Sequence, residues 1–231
     1  MVEPVVVRFV PGVTPAKWQR AWAERMPAHP LEVRLAEQAE AVEAVRAGDA
    51  LLALVRLPLE NADERMHVVP LYEERAVVVA PVEHDFEAAE SVTLAQVEAE
   101  TVLPVGERAR IEDGVPDPVK AAVELVAANV GVVVLPMSVA RLHARKDVIA
   151  RPVDDAPTTR VGLVWLRDAD GPLAQEFMGV VRGRTARSSR GTASEPAGKA
   201  PKHAKPASPA RRSATPARTP RDRSKGRGKR R

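Results

Sequence analysis

Apolar and polar positions fall into short blocks along the first 184 residues, and the period of the blocks switches repeatedly between two and about 3.6. Residues 5–10 (VVVRFV) are a β-branched run ended by Pro11-Gly12, which predicts a buried strand. Trp18 and Trp22 lie four apart in the next block, on one face of a helix reaching about Met26. Thr14 is placed to cap that helix, with Pro15 in the first turn, where a missing N–H costs nothing. Residues 31–35 alternate as a strand does. Helical spacing returns at 39–47 (Ala39, Val42, Val45, Arg46), with Gly48 as the stop signal, and residues 50–55 read as another buried strand.

The second half continues the alternation. Residues 68–70 and 76–80 are apolar strands separated by a Leu-Tyr-Glu-Glu-Arg link, followed by a short helix at 93–100 and a short strand at 101–104. Residues 108–117 are polar and turn-rich, a predicted loop. A helix at 118–129 puts Val119, Val123, Leu125 and Val126 inward and stops at Asn129, and Gly131 lets the chain turn into a strand at 132–135. A helix at 137–144, strands at 148–152 and 160–166, and a closing helix at 172–183 complete the pattern. Strands alternating with helices predict an α/β fold, with a mostly parallel sheet covered by helices.

Charge changes the picture. Residues 1–184 carry 20 Lys+Arg against 29 Asp+Glu, a net of −9. Residues 185–231 carry 15 Lys+Arg against Glu195 and Asp222, a net of +13. The overall charge of +4 therefore hides an acidic body joined to a basic arm. The arm has no Val, Ile, Leu, Met, Phe, Trp or Tyr, so it cannot offset its chain entropy by burial, and disorder is expected. Its cations come in groups: Lys199, Lys202 and Lys205, then Arg211 and Arg212, then Lys225, Arg227, Lys229, Arg230 and Arg231. Such spacing suits contact with DNA phosphates without base reading, and the composition resembles the Ala/Pro/Lys-rich tails of actinobacterial nucleoid-associated proteins. A solubilising tail, or an arm folded back on the acidic body, are the competing readings.

The body is long enough for one domain or two small lobes. With three Phe, three Trp and one Tyr in the whole chain, its core must be built from Val, Leu and Ala. Absence of cysteine excludes disulfides and thiolate chemistry, and no signal peptide or membrane-length apolar run is visible, so a cytoplasmic protein is expected. Candidate catalytic chemistry is also missing. Ser138 is not in a nucleophile-elbow pattern, the histidines have no metal-ligand spacing, and no Gly-rich phosphate loop occurs. No enzyme, no metal and no cofactor is expected.

Five phrases in order resemble the effector-binding (substrate-binding) domain of LysR-type transcriptional regulators. They are VRAGDALLALV at 45–55, PLYEERAVVVAPVEHD at 70–85, VTLAQVEAETVL at 92–103, ELVAANVGVVVLPMSVAR at 124–141 and VGLVWL at 161–166. The resemblance implies a type 2 periplasmic-binding-protein-like fold of two Rossmann-like lobes with a central cleft. Lobe I would hold 1–80 and 160–184, and lobe II 81–159, with a hinge in the strands at 77–81 and 160–164. It also implies a homodimer and a small-molecule effector in the cleft. The first strand follows Met1 almost at once, so the family's helix-turn-helix and linker helix are expected to be missing. The region 105–117 is shorter than the family's usual second lobe.

The resemblance places ligand contacts at Val13 and Thr14 in the loop after the first strand, and at Arg56 after the third. Pro104 and Val105 face them from the second lobe. Thr14 either caps its helix alone or also holds a ligand carboxylate. Arg56 either grips a carboxylate or pairs with an acid of the body. A small carboxylate fits these two residues better than a large aromatic effector. The expected function is small-molecule sensing tied to transcription, with DNA met through the arm. The alternative is a nonspecific nucleic-acid-binding or nucleoid-associated protein whose body is only a dimerisation scaffold.

Overall fold

In the computed structural model, residues 3–60, 64–105 and 117–183 are described. The chain divides into two units, Met1–Ser189 and Arg190–Arg231, and the second lies wholly outside the described residues. The expected loop at 108–117 lies outside them too, except for Asp117.

Two sheets organise the first unit. One contains β1 (Val5–Phe9), β2 (Leu31–Leu35), β3 (Leu52–Leu57), β4 (Met66–Glu74) and β8 (Thr159–Leu166), in the order β2-β1-β3-β8-β4. The other contains β5 (Ala76–Pro81), β6 (Val133–Pro136) and β7 (Val148–Pro152), in the order β6-β5-β7. Helix α1 (Ala16–Arg25) connects β1 to β2, and α2 (Gln38–Ala47) connects β2 to β3. Both connections are crossovers, and β1 runs parallel to each of its neighbours. The sheets are not mostly parallel, however. β8 is antiparallel to β3 and β4, and β5 is antiparallel to β6 and β7. Helices between strands imply parallel pairing only when the strands share a sheet, and here the chain changes sheets twice.

The first change comes at Arg75, the single residue between β4 and β5, and the second at 153–158, between β7 and β8. All of β5 pairs within the second sheet, so the chain has already changed sheets at Arg75. The connections at Arg75 and 153–158 join the two sheets, next to the strands at 77–81 and 160–164 expected to form the hinge. β4 is also longer than expected, because Leu71 and Tyr72 belong to it. A bulge between Pro70 and Tyr72 absorbs the irregularity, and Pro70 is tolerated because β4 is an edge strand.

Burial explains why these sequences form these layers. In the first lobe, Val7, Leu52, Leu54, Val161 and Leu163 are fully buried, and Trp22 and Phe177 pack at 5.8 Å between ring centroids. Trp18 and Trp22 both join this core, and Trp22 Nε1 donates to the carbonyl of His29 at 2.7 Å. In the second lobe, β5 is buried on both faces, and the period of two separates them. Val77 and Val79 pack with α4 (Pro118–Ala127) and α5 (Met137–Leu142). Val78 and Ala80 pack with Phe86, and with Val97 of α3 (Leu94–Glu98). The closing helix α6 (Pro172–Val181) returns to the first lobe and lies beside α1.

Several local signals act as expected and others do not. Gly48 ends α2 in the left-handed conformation, and Thr93 and Gln96 form a capping box on α3. Thr14 does not cap α1: the helix starts at Ala16, Pro15 occupies the capping position, and no side chain caps it. The turn after α4 is made by Asn129, with φ +60°, rather than by Gly131. Gly131 is needed for close approach instead, because a Cβ there would lie 2.3 Å from the Thr101 carbonyl oxygen. The expected strand at 101–104 is reduced to a single bridge, Val102 to Val132.

Candidate functional site

The loop from Val10 to Pro15 connects β1 to α1 at the carboxyl end of the parallel strands, where open α/β sheets place their ligands. Gly12 turns this loop with φ +88° and lies against the second lobe. A Cβ on Gly12 would meet Ser138 Oγ at 2.5 Å and Arg56 Nη2 at 3.0 Å, so the close contact requires glycine.

Arg56, near the end of β3, ties this point together. Its backbone N–H donates to Gln38 Oε1 at 3.0 Å, and its Nη2 donates to the Pro11 carbonyl at 2.8 Å and to Ser138 Oγ at 3.2 Å. Its Nε lies 3.3 Å from Glu74 Oε2, but neither atom makes a hydrogen bond. The Glu74 side chain is only 6% exposed, and Glu74 is the one buried charged residue among the described residues. Beside it stands Tyr72, whose phenol is pushed above its ordinary pKa by burial first and by the Glu74 carboxylate second.

Two cavities open on either side of this contact. The larger, about 900 Å³, lies between the lobes. Its floor includes Val10, Pro11 and Arg56 from the first lobe, and Pro118, Val139 and Leu142 from the second. Glu37, Glu40, Glu43, Glu60 and Asp117 also line it, against Arg46, Arg56 and His143. Some of this charge is already engaged: Glu40 lies 3.5 Å from Arg8, Glu43 lies 3.6 Å from Arg46, and Asp117 accepts from the backbone N–H of Lys120. The smaller cavity, about 370 Å³, is lined by Gly12, Thr14, Lys17, Tyr72, Glu74 and Ser138, among others.

The expected site residues are distributed unevenly over this geometry. Arg56 lines the larger cavity and Thr14 the smaller, so the two do not converge on one chamber. Val13 is 5% exposed and belongs to the first-lobe core. Pro104 is exposed and Val105 packs on the second-lobe core, and neither lines any of these cavities. The tail cations from Lys199 to Arg231 lie outside the described residues. Glu74 and Ser138 were not predicted as site residues. Among the described residues, no group of side chains is arranged to hold a metal ion, and no helix is long and apolar enough to cross a membrane.

Two sheets joined by two crossings, with a cleft at the strand ends, make a fold of the periplasmic-binding-protein-like kind. The model of the LysR substrate binding domain matches residues 14–186, and the chain belongs to that family. Similar solved structures include the regulatory domain of an OxyR variant from Pseudomonas aeruginosa, with a TM-score of 0.62 and 21% identity. That match covers 79% of this chain and 96% of the other. The BenM effector binding domain with its effector benzoate matches with a TM-score of 0.65 and 18% identity, covering 79% of this chain and 92% of the other. A full-length Pseudomonas aeruginosa OxyR variant matches with a TM-score of 0.61 and 21% identity, covering 78% of this chain. The present chain spans 66% of that full-length protein. Among curated proteins, none matches.

Proposed function

We propose that this chain is a small-molecule-sensing regulatory protein of the LysR type, working in the cytoplasm as a homodimer and held near DNA by its basic arm. The observation that carries the sensing role is the 900 Å³ cleft lined from both lobes. Its size falls within the range of about 300–1,000 Å³ typical of ligand cavities. A body serving only as a dimerisation scaffold has no need of such a chamber. A ligand touching both lobes favours one relative arrangement of them, which is how occupancy becomes a signal. The arm, with 15 Lys+Arg in 47 residues, supplies sequence-independent phosphate contacts and brings the sensor to the nucleoid.

A thermal-shift screen of small metabolites against the full chain tests the sensing role. A ligand present at 100 times its Kd adds about 2.7 kcal/mol to stability. For a body of this size that raises Tm by about 5–10 °C. Ala39 is exposed and lines the cleft, so Ala39→Trp fills part of the chamber without entering the core. The variant keeps its own Tm and loses the ligand-induced shift. A screen in which no compound stabilises the protein, or one in which Ala39→Trp responds like the wild type, argues for the scaffold reading.

A further inference from the structure

The cleft between the lobes leaves two large apolar side chains uncovered. Leu35, at the end of β2 in the first lobe, and Leu142, at the end of α5 in the second, are each more than half exposed, and both line the cleft. Val10 and Leu59 extend this apolar lining on one side, and Val119 and Val139 on the other. Open apolar surface inside a concavity favours an apolar occupant, because covering it removes water from both partners.

Charge decides what else that occupant carries. Glu37, Glu40, Glu43, Glu60 and Asp117 line the same cleft. The two guanidinium groups that line it, Arg46 and Arg56, are already paired with carboxylates. Arg46 lies 3.6 Å from Glu43. Arg56 lies 3.3 Å from the buried Glu74, and it donates to the Pro11 carbonyl and to Ser138 Oγ. A carboxylate entering the cleft therefore meets mostly like charge, with His143 as the one further basic group on the lining. A cation meets the opposite field, which a concave wall of low dielectric concentrates. Among the described residues, no aromatic side chain lines the cleft, so a cation there is held through its N–H groups by carboxylates rather than over a ring face.

We propose that the cleft binds an apolar primary amine in its ammonium form, with the hydrocarbon body against Leu35 and Leu142 and the ammonium group at the acidic rim that includes Glu43 and Glu60. The inference rests on the sensing role and names the effector chemistry for it.

Calorimetric titration of the full chain with a panel of primary amines of aliphatic or aromatic body tests the proposal, each amine beside the carboxylate and the alcohol of the same carbon skeleton. At least one amine binds, and its carboxylate and alcohol counterparts bind about tenfold or more weakly. The double variant Glu43→Gln/Glu60→Gln keeps the side-chain shapes, and both residues are exposed, so it keeps the wild-type Tm. It lowers the affinity for the amine about tenfold and leaves that for the alcohol unchanged. Leu142→Ala weakens the amine and the alcohol alike, by about threefold or more. The proposal is overturned if the carboxylate or the alcohol binds as well as the amine, if the amine ignores Glu43→Gln/Glu60→Gln, or if no amine binds. In the last case, a different compound that stabilises the wild type but not Ala39→Trp leaves the sensing role standing and removes only the ligand class. If no compound stabilises the protein, both readings fall.

Discussion

Arg56→Ala lowers the stability of the folded body by about 3–5 kcal/mol, the usual cost of stranding a buried charge. The Arg56 and Glu74 side chains are 17% and 6% exposed, so solvent does little to screen the orphaned carboxylate. The same truncation removes the donor to the Pro11 carbonyl and to Ser138 Oγ, and with it a direct polar tie between the lobes. Urea denaturation followed by circular dichroism measures the loss. The pair variant Arg56→Met/Glu74→Leu recovers most of it, because an apolar pair of similar volume carries no desolvation penalty. A double-mutant cycle separates the coupling from the lost packing. A loss below about 1 kcal/mol for Arg56→Ala would mean that the pair behaves like a surface contact.

Trp22→Ala costs about 3–5 kcal/mol through the cavity it leaves. Trp22 is 1% exposed, packs on Phe177 and donates to the His29 carbonyl. In a chain with so few aromatics, neighbouring Val and Ala side chains cannot close the space. Trp22→Phe restores much of the volume but not the N–H, and recovers only part of the loss. Leu35→Ala is the control: Leu35 is 59% exposed, and its truncation shifts stability by no more than about 0.5 kcal/mol. Thermal melts of the three variants rank them. Equal melts for Trp22→Ala and Leu35→Ala would contradict the packing described for the first lobe.

The hydrophobic pattern located most strands and helices because each is decided locally. The run at 5–10, the helical spacing up to Gly48, and the apolar run at 76–80 all lie within a few residues of chain. What the pattern could not show is which strand pairs with which. β4 and β5 look like consecutive members of one sheet, yet a single residue between them carries the chain from one sheet to another. The apparent link at Leu71 and Tyr72 is a bulged edge strand, visible only once β8 is known to pair with it. Gly131 looked like a turn residue because glycine usually is one, whereas its reason is a carbonyl oxygen 30 residues earlier in the chain.

The candidate site shows the same division. Thr14 and Arg56 could be picked out from the loop and strand that carry them. Ser138 could not, because its contact with Arg56 spans 82 residues of sequence. Glu74 sits next to Glu73, which is exposed and pairs with Arg160 at 3.0 Å. Only the phase of the bulged strand decides which of the two is buried. The acidic lining of the larger cleft carries a local signal of its own in the polar positions of α2. Glu37, Glu40 and Glu43 recur every three residues at the start of α2, on the face turned away from the core.

Under the proposed function, the acidic body senses and the basic arm contacts DNA. Fluorescence anisotropy on a random-sequence duplex tests that division most directly, comparing the full chain with residues 1–184 across a salt series. The full chain binds, and its log affinity falls against log salt with a slope of about −0.9 for each phosphate engaged. An arm making 6–10 such contacts loses about 10³–10⁵ in affinity between 50 and 200 mM salt. Residues 1–184, with a net charge of −9, do not bind. Binding by residues 1–184 as tight as that of the full chain, or no binding by either, would contradict the account.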